Sequence, residues 1–92
     1  MADFIEFDPT KRDSTLIARG LDFARSHDLF LGRHLTRRDD RIDYGEDRYV
    51  TAGHLDGHIV LIVWTPRGNS RRIISMRKAN EREIKALKPH LG

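Results

Sequence analysis

The apolar residues at the start of the chain are spaced as in one short strand followed by two helices. Residues 4–7 are a mostly apolar run that suits a strand, and the Asp-Pro pair at 8–9 predicts a helix that stops at Gly20. Asp accepts hydrogen bonds from the free N–H groups of a first helical turn, Pro suits the first helical position, and Gly is favoured just beyond a C-terminus. Asp22 is a second such N-cap and predicts a helix over residues 23–30.

After these helices the pattern changes to extended segments that are separated by turn residues. Strands are predicted over residues 34–42, 48–55, 58–65 and 71–78. The third of them is apolar on both faces, as expected of a central strand. Asp56-Gly57 is the two-residue signature of a type I′ hairpin turn, and Gly68-Asn69 turns the chain again. Asn80 caps a last helix that runs to about Leu87, with Pro89 marking its end.

This order of elements predicts an α+β fold. We expect an antiparallel sheet of four main strands, packed by two N-terminal helices and one C-terminal helix. The length of 92 residues suits a single domain over residues 1–92. A chain of this size buries only about 60–65% of its unfolded surface, so a shallow surface site is expected rather than a deep cofactor pocket.

Composition narrows the class of protein further. The chain has 17 Lys and Arg against 14 Asp and Glu, a net charge of +3, so a polyanion such as nucleic acid is an admissible partner. It has no cysteine, which excludes disulfides, thiolate nucleophiles and Cys-based zinc sites. The longest apolar run, residues 59–64, is too short to span a bilayer, and residues 1–4 lack a signal-peptide pattern. A cytoplasmic protein without a membrane partner is expected.

Two groups of residues raise the question of a metal. Residues 37–48 contain four Arg and five acids, which suits either a Mg²⁺ site or, more simply, ion pairs on a solvated edge. His54 and His58 flank the predicted hairpin turn, and the register that follows from this turn places them on opposite faces. We favour ion pairs for the first group and two exposed histidines for the second, so no metal or cofactor is expected.

Residues 67–78 carry five cations and no acid to neutralise them. They are Arg67, Arg71, Arg72, Arg77 and Lys78. Such a stretch creates a positive field that suits phosphate. With Gly68-Asn69 as the turn, a regular hairpin places Arg67, Arg72 and Lys78 on one face and Arg71, Ser75 and Arg77 on the other. A β-bulge would change this allocation.

Cations of this kind also suit the cleavage of RNA without a metal. The 2′-hydroxyl attacks the neighbouring phosphate, a base removes its proton, and positive groups stabilise the charge that grows on the phosphoryl oxygens. Arginine is a good charge stabiliser but a poor base, because it stays protonated. His34, His54 and Tyr49 are candidate bases, and the sequence favours none of them.

Five segments, read in order, together resemble one known family of proteins. They are Phe4-Ile5-Glu6-Phe7-Asp8-Pro9-Thr10-Lys11, Gly20-Leu21-Asp22-Phe23, Asp40-Arg41-Ile42-Asp43-Tyr44-Gly45-Glu46-Asp47-Arg48-Tyr49, Thr65-Pro66-Arg67-Gly68, and Arg72-Ile73-Ile74-Ser75-Met76-Arg77-Lys78-Ala79-Asn80-Glu81-Arg82-Glu83. In these segments the chain resembles the BrnT family of bacterial type II toxins. The resemblance implies a RelE-like ribonuclease fold, RNA cleavage that arrests translation, and silencing by a BrnA antitoxin. It also implies that the ribbon-helix-helix domain of this antitoxin binds operator DNA.

The resemblance and the acid-free stretch together suggest the site residues. Arg67, Arg77 and Lys78 are the expected catalytic residues, which bind the phosphate and stabilise the transition state. The expected nucleic-acid-binding residues are Arg72, Ser75, Lys11 and Arg71.

The chain departs from the family pattern at several positions. Phe7 stands where the family usually has Trp, and Thr15 and Arg19 stand where Asn and His are expected. The C-terminal tyrosine that is common in such toxins is also absent. Two alternatives therefore remain beside a toxin ribonuclease: a non-catalytic nucleic-acid-binding module or inactive toxin homologue, and an interaction protein whose basic face binds an acidic partner.

Overall fold

Five strands form one mixed sheet in the computed structural model of this chain, which describes residues 4–92. The strands are β1 (Phe4–Phe7), β2 (His34–Arg38), β3 (Tyr49–Leu55), β4 (His58–Arg67) and β5 (Ser70–Lys78). The helices are α1 (Pro9–Arg19), α2 (Ser26–Leu31), which follows a 3₁₀ turn at Phe23–Arg25, and α3 (Glu81–Leu91). The strands lie side by side in the order β1-β5-β4-β3-β2. Residues 1–3, which contribute to the signal-peptide expectation, lie outside the described part.

The sheet confirms the α+β class and corrects the expected strand pairing. β2, β3, β4 and β5 pair antiparallel, as predicted for a four-stranded RelE-like sheet. β1 is a fifth strand, and it pairs parallel with β5. This edge position lets Phe7 contact the ring of Phe23, with the two ring centroids 6.1 Å apart. The four-strand prediction is wrong because the apolar run at residues 4–7 reaches the core only by joining the sheet.

The larger core lies on one face of the sheet, here called the core face. The 3₁₀ turn and α2 cover this face with Phe23, Leu29 and Phe30, which are all buried. Asp22 is an N-cap as predicted, since its side chain accepts a hydrogen bond from the N–H of Ala24, but it begins a 3₁₀ turn followed by α2 rather than one helix over residues 23–30. The strand residues that pack there are Leu55, Val60, Ile62, Trp64, Ile73 and Met76. None of the helices within residues 4–92 is long and apolar enough to cross a membrane.

The opposite face, here called the α3 face, is covered only in part. Leu87 and Leu91 of α3 pack on a smaller cluster formed by Ala52, Ile59 and Leu61. Because a single helix crosses this face, the neighbouring part of the sheet is left open. That opening is where a shallow site can form.

The C-terminal helix extends beyond the predicted boundary. The sequence predicts an end at Pro89, yet α3 continues through Pro89 to Leu91. A proline near a helix C-terminus removes one backbone hydrogen bond, while burial of a leucine side chain is worth about 1.5–3 kcal/mol. Leu91 is only 4% exposed, so its packing on the α3 face offsets at least part of the loss at Pro89.

The edge strand β2 is shorter than predicted, because it ends at Arg38 rather than at residue 42. The backbone N–H of Asp39 still bonds to the carbonyl of Arg48, at 2.8 Å. The Asp39 side chain then accepts hydrogen bonds from Arg41 and Tyr44. These bonds join Asp39 to side chains two and five residues later in the chain, so the residues after Asp39 form a loop instead of continuing the strand.

Leu91→Ala tests whether the end of α3 anchors the helix on the sheet. We expect it to lower the free energy of unfolding by about 2–4 kcal/mol, since it leaves a cavity on Ala52, Ile59 and Leu61. Urea denaturation measures this, with the exposed neighbour His90→Ala as the matched control. Equal stability of the two variants would contradict the packing of Leu91.

Candidate functional site

A β-bulge in the β4–β5 hairpin determines which residues share the α3 face. The predicted register holds near the turn, where Trp64 pairs with Ile73. The next pair is Val63 with Ser75, so Ile74 has no partner across the ladder. One extra residue reverses the alternation of every side chain that follows it. Arg77 therefore lies on the face of Arg67, opposite to its place in a regular hairpin.

The structure places four of the seven site residues expected from the sequence on one face of the sheet, but only Ser75 and Arg77 of them line the groove described below. On the α3 face lie Arg67, Arg72, Ser75 and Arg77. Lys78 pairs with Val60, whose side chain belongs to the core face, and Arg71 stacks there over the rings of Phe30 and Trp64. Lys11 is exposed on α1.

A groove of about 490 Å³ separates α3 from the open part of the α3 face. Its floor is apolar and is formed by Leu35, Val50, Ala52, Leu61 and Val63. Its polar lining comes from Thr36, Arg37, Arg41, Ser75, Arg77 and Glu83, with Ala86 and Leu87 completing the helix side. Three guanidinium groups from three different segments therefore border one shallow groove.

Arg77 is held in this groove by a two-point contact with Glu83. Its Nη1 and Nη2 atoms donate to the two carboxylate oxygens of Glu83 at 2.7 and 2.8 Å. Glu83 is also the third residue of α3 and closes its capping box, because its Oε1 accepts from the N–H of Asn80 at 2.9 Å. The bonds from Arg77 and Asn80 lower the pKa of Glu83 to about 2, and Glu83 in turn raises the pKa of Arg77.

Arg41 is held in a similar way by the loop that follows β2. Its Nε and Nη2 atoms each donate to Asp39 at 2.9 Å. The Asp39 side chain is only 2% exposed, and the bonds from Arg41 lower its pKa to about 2. A buried carboxylate thus fixes a guanidinium at the rim of the groove.

Arg37 and Arg41 are groove residues that the sequence analysis did not single out. In the sequence alone, the arginines of residues 37–48 are equivalent candidates for ion pairs with the acids beside them. The alternation of β2 contains the missing signal, because Arg37 pairs with Val50 and Leu35 with Ala52, so both point to the α3 face. Arg38, the next residue, points to the other face and pairs with Asp40 and Asp47.

The cations of residues 67–78 are less isolated than the local sequence suggests. Carboxylates from distant segments pair with three of them: Glu46 with Arg67, Glu6 with Arg72, and Glu83 with Arg77. Within residues 4–92, no carboxylate lies at ion-pair distance from Lys78. The positive field predicted for this hairpin is therefore partly neutralised.

The ion-pair interpretation of residues 37–48 is confirmed. Asp39 pairs with Arg41, Asp40 and Asp47 pair with Arg38, and Glu46 pairs with Arg48. The hairpin register is confirmed too, since His54 pairs with Ile59 and Leu55 with His58. Both histidines nevertheless border a second cavity of about 230 Å³, together with Lys78 and Lys88.

The three candidate bases all lie outside the groove. Tyr49 stacks on Trp64 on the core face, with ring centroids 5.1 Å apart. His34 contacts the ring of Phe30 on the same face, and His54 borders the second cavity. None of the side chains that the sequence nominated as a base is placed to act beside Arg77.

The fold and the groove together define a small α+β protein whose arginines can bind the phosphates of an extended chain. The family model for the ribonuclease toxin BrnT of type II toxin–antitoxin systems matches residues 7–83, and the chain belongs to this family. Membership implies RNA as the target and a protein antitoxin as the partner. No curated protein sequence matches the chain.

Asp39→Asn tests whether the ion pair between the buried Asp39 carboxylate and the exposed Arg41 guanidinium supports the site. A carboxylate whose pKa is lowered by folding contributes stability above its unfolded pKa, and this is lost as the pH falls through its folded pKa. We therefore expect the variant to have a lower melting temperature than the parent at pH 7. The difference should shrink between about pH 4 and pH 2, as Asp39 of the parent becomes protonated.

Thermal unfolding at several pH values measures this effect, with the exposed neighbour Asp40→Asn as the control. A gap between Asp39→Asn and the parent that does not change with pH would contradict the assignment.

Proposed function

We propose that this chain, as one toxin domain over residues 1–92, is an endoribonuclease that cleaves RNA in the groove and arrests translation. The observation that carries the proposal is the convergence of Arg37, Arg41 and Arg77 on a groove with an apolar floor. The arginines suit the phosphodiester backbone, and the floor suits the flat face of a base. Because the three arginines come from different folded segments, their charges have fixed relative positions, unlike the charges of a flexible basic tail.

Arg77 is the proposed catalytic cation. A guanidinium binds two phosphoryl oxygens at once and stays protonated, so it can stabilise the charge that grows on the phosphate as it is attacked. The Ser75 hydroxyl, which lines the same groove, can donate to a phosphoryl oxygen. Arg37 and Arg41 complete the positive rim.

The remaining expected residues then bind RNA on either side of the cleaved bond. Arg67 lies four residues beyond Val63 along β4, about 13 Å away, and Arg72 lies on the same face. Lys78, Arg71 and Lys11 lie outside the groove. In this proposal Arg67 retains a supporting role in phosphate binding, and the other cations contact flanking nucleotides.

The proposed reaction needs no metal ion, because arginine supplies the charge stabilisation that Mg²⁺ provides in other phosphate chemistry. The acids nearest the groove are already bound by arginines, as with Asp39 and Glu83. We accordingly expect cleavage to persist in excess EDTA.

The first test compares two groove arginines, Arg77 of β5 and Arg37 of β2, with Arg38, the neighbour of Arg37. Arg77→Ala and Arg37→Ala should each lower cleavage of single-stranded RNA by about 10²–10³-fold and abolish growth arrest, because each removes a cation from the groove. Arg38→Ala is the matched control, since its side chain points to the other face. Melting temperatures should change little, because exposed ion pairs contribute about 0–1 kcal/mol. An Arg38→Ala variant that loses more activity than Arg37→Ala would refute this site.

The proposed partner is a BrnA-like antitoxin with a ribbon-helix-helix domain, and the complex binds operator DNA through this domain. An acidic antitoxin segment that covers Arg37, Arg41 and Arg77 would block the groove. We expect the complex to form in the cytoplasm. Charge complementarity of this kind makes association fast and sensitive to salt.

Co-expression with the product of the neighbouring gene should give a stable complex. Its association rate should fall steeply between about 50 and 500 mM salt, because added ions screen the attraction. Stopped-flow mixing of the purified proteins measures this rate. The failure of the two proteins to copurify would remove the support for the antitoxin.

One observation favours a second function, a non-catalytic RNA-binding module. None of His34, His54 and Tyr49 lines the groove, so a binder without a proton acceptor would have the same arginines. RNA that binds with Arg77-dependent affinity and is recovered intact would support this alternative.

A further inference from the structure

The groove contains one proton-accepting group that the function described so far does not use. Of the side chains that line it within residues 4–92, only Glu83 carries a carboxylate. Its two oxygens lie 2.7 and 2.8 Å from the guanidinium nitrogens of Arg77. A phosphate bound to Arg77 would therefore lie within a few ångströms of this carboxylate, with the adjacent 2′-hydroxyl beside it.

We propose that Glu83 is the catalytic base, which removes the proton from the attacking 2′-hydroxyl. The inference rests on the proposed ribonuclease function and deepens it by naming the residue that activates the nucleophile. It is drawn from the position of Glu83 beside Arg77 and from the absence of the other candidate bases from the groove.

The capping box of α3 gives the two oxygens of Glu83 different tasks. Oε1 accepts from the N–H of Asn80 and from Nη1 of Arg77, so it is fixed to the helix. Within the described residues 4–92, Oε2 accepts a hydrogen bond only from Nη2 of Arg77. When Arg77 turns this N–H to a phosphoryl oxygen, Oε2 is released and becomes available to the 2′-hydroxyl.

The charges around Glu83 keep it ionised and ready to accept a proton. Arg77 of β5 is in direct contact, Arg37 of β2 acts through its charge, and Arg41 lies close enough to influence Arg77. The contact with Arg77 lowers the pKa of Glu83 and makes it a weak base in the free protein. Transfer of that contact to the phosphate raises the pKa toward its ordinary range, so the base becomes stronger when RNA binds.

The reaction step balances without a cofactor. The 2′-oxygen forms a bond to phosphorus, the bond from phosphorus to the 5′-oxygen breaks, and the 2′-hydroxyl proton moves to Oε2 of Glu83. The leaving 5′-oxygen takes a proton from water, and Glu83 returns its proton to the hydroxide that remains. The products are a 2′,3′-cyclic phosphate and a 5′-hydroxyl end.

The test is Glu83→Gln, with Glu81→Gln as the matched control. Both substitutions remove one carboxylate from the first turn of α3, but Glu81 does not line the groove. Gln keeps the shape of Glu and can still accept from the N–H of Asn80, so the capping box is retained. Cleavage of single-stranded RNA, affinity for a non-cleavable 2′-deoxy analogue and the melting temperature are measured for both variants and the parent.

We expect Glu83→Gln to lower the cleavage rate by about 10²–10⁴-fold, the range that general bases contribute. Affinity for the analogue should be equal or higher, because a negative charge beside the phosphate is removed. At saturating RNA, where the contact with Arg77 has moved to the phosphate, the parent should lose activity as the pH falls through about 4, the ordinary range of a Glu pKa, and the residual activity of Glu83→Gln should lack this acid limb. Glu81→Gln should behave as the parent in all three measurements.

Two results would overturn the assignment. One is cleavage by Glu83→Gln within about threefold of the parent, which would leave Glu83 with only its capping role. The other is a loss of cleavage matched by an equal loss of affinity for the analogue, which would make Glu83 a positioning residue for Arg77. A parent that binds the analogue but cleaves no RNA would instead refute the proposed function, so the two failures are distinguishable.

Discussion

Ile74 is the residue on which the composition of the site depends, because it has no partner in the β4–β5 ladder. Ile73 and Met76 are both buried on the core face although they are three residues apart. In a regular strand such a spacing places side chains on opposite faces. The extra residue allows both to enter the core, and the same shift turns Ser75 and Arg77 toward α3. Packing of the core thus determines which cations line the groove.

The groove itself exists because α3 covers its face of the sheet incompletely. Leu87 and Leu91 anchor the helix on Ala52, Ile59 and Leu61, and the apolar surface beside them remains accessible. A helix that filled this face would leave no room for a substrate. The stability that Leu91 provides and the position of Glu83 at the start of the same helix are therefore linked.

The guanidinium groups of the groove are held by carboxylates from other parts of the chain. Glu83 holds Arg77 and Asp39 holds Arg41, each through two hydrogen bonds. Such contacts reduce the free positive charge, but they orient the arginines before a phosphate arrives. A phosphate must then compete with Glu83 for Arg77, which couples binding to the release of the carboxylate.

The sequence by itself determined the local structure, namely the three helix N-caps, the hairpin turns and the four antiparallel strands. Each of these depends on neighbouring residues, as with the side chain of Asp8 on the N–H of Thr10. The family could also be identified from the order of its motifs, and the match of the family model over residues 7–83 confirms it. For the basic residues, the sequence predicted the stretch of chain that contains them but not which of them share one face of the sheet.

Tertiary structure decided which of those residues act together. The parallel pairing of β1, the bulge at Ile74 and the extension of α3 past Pro89 all depend on burial against distant segments. The pairing of Arg77 with Glu83 depends on the turn from β5 into α3. Arg37 lines the groove because its position on β2 points to the α3 face. No local pattern reports these contacts, because the energy of a packed core and of an ion pair is realised only when the chain has closed on itself.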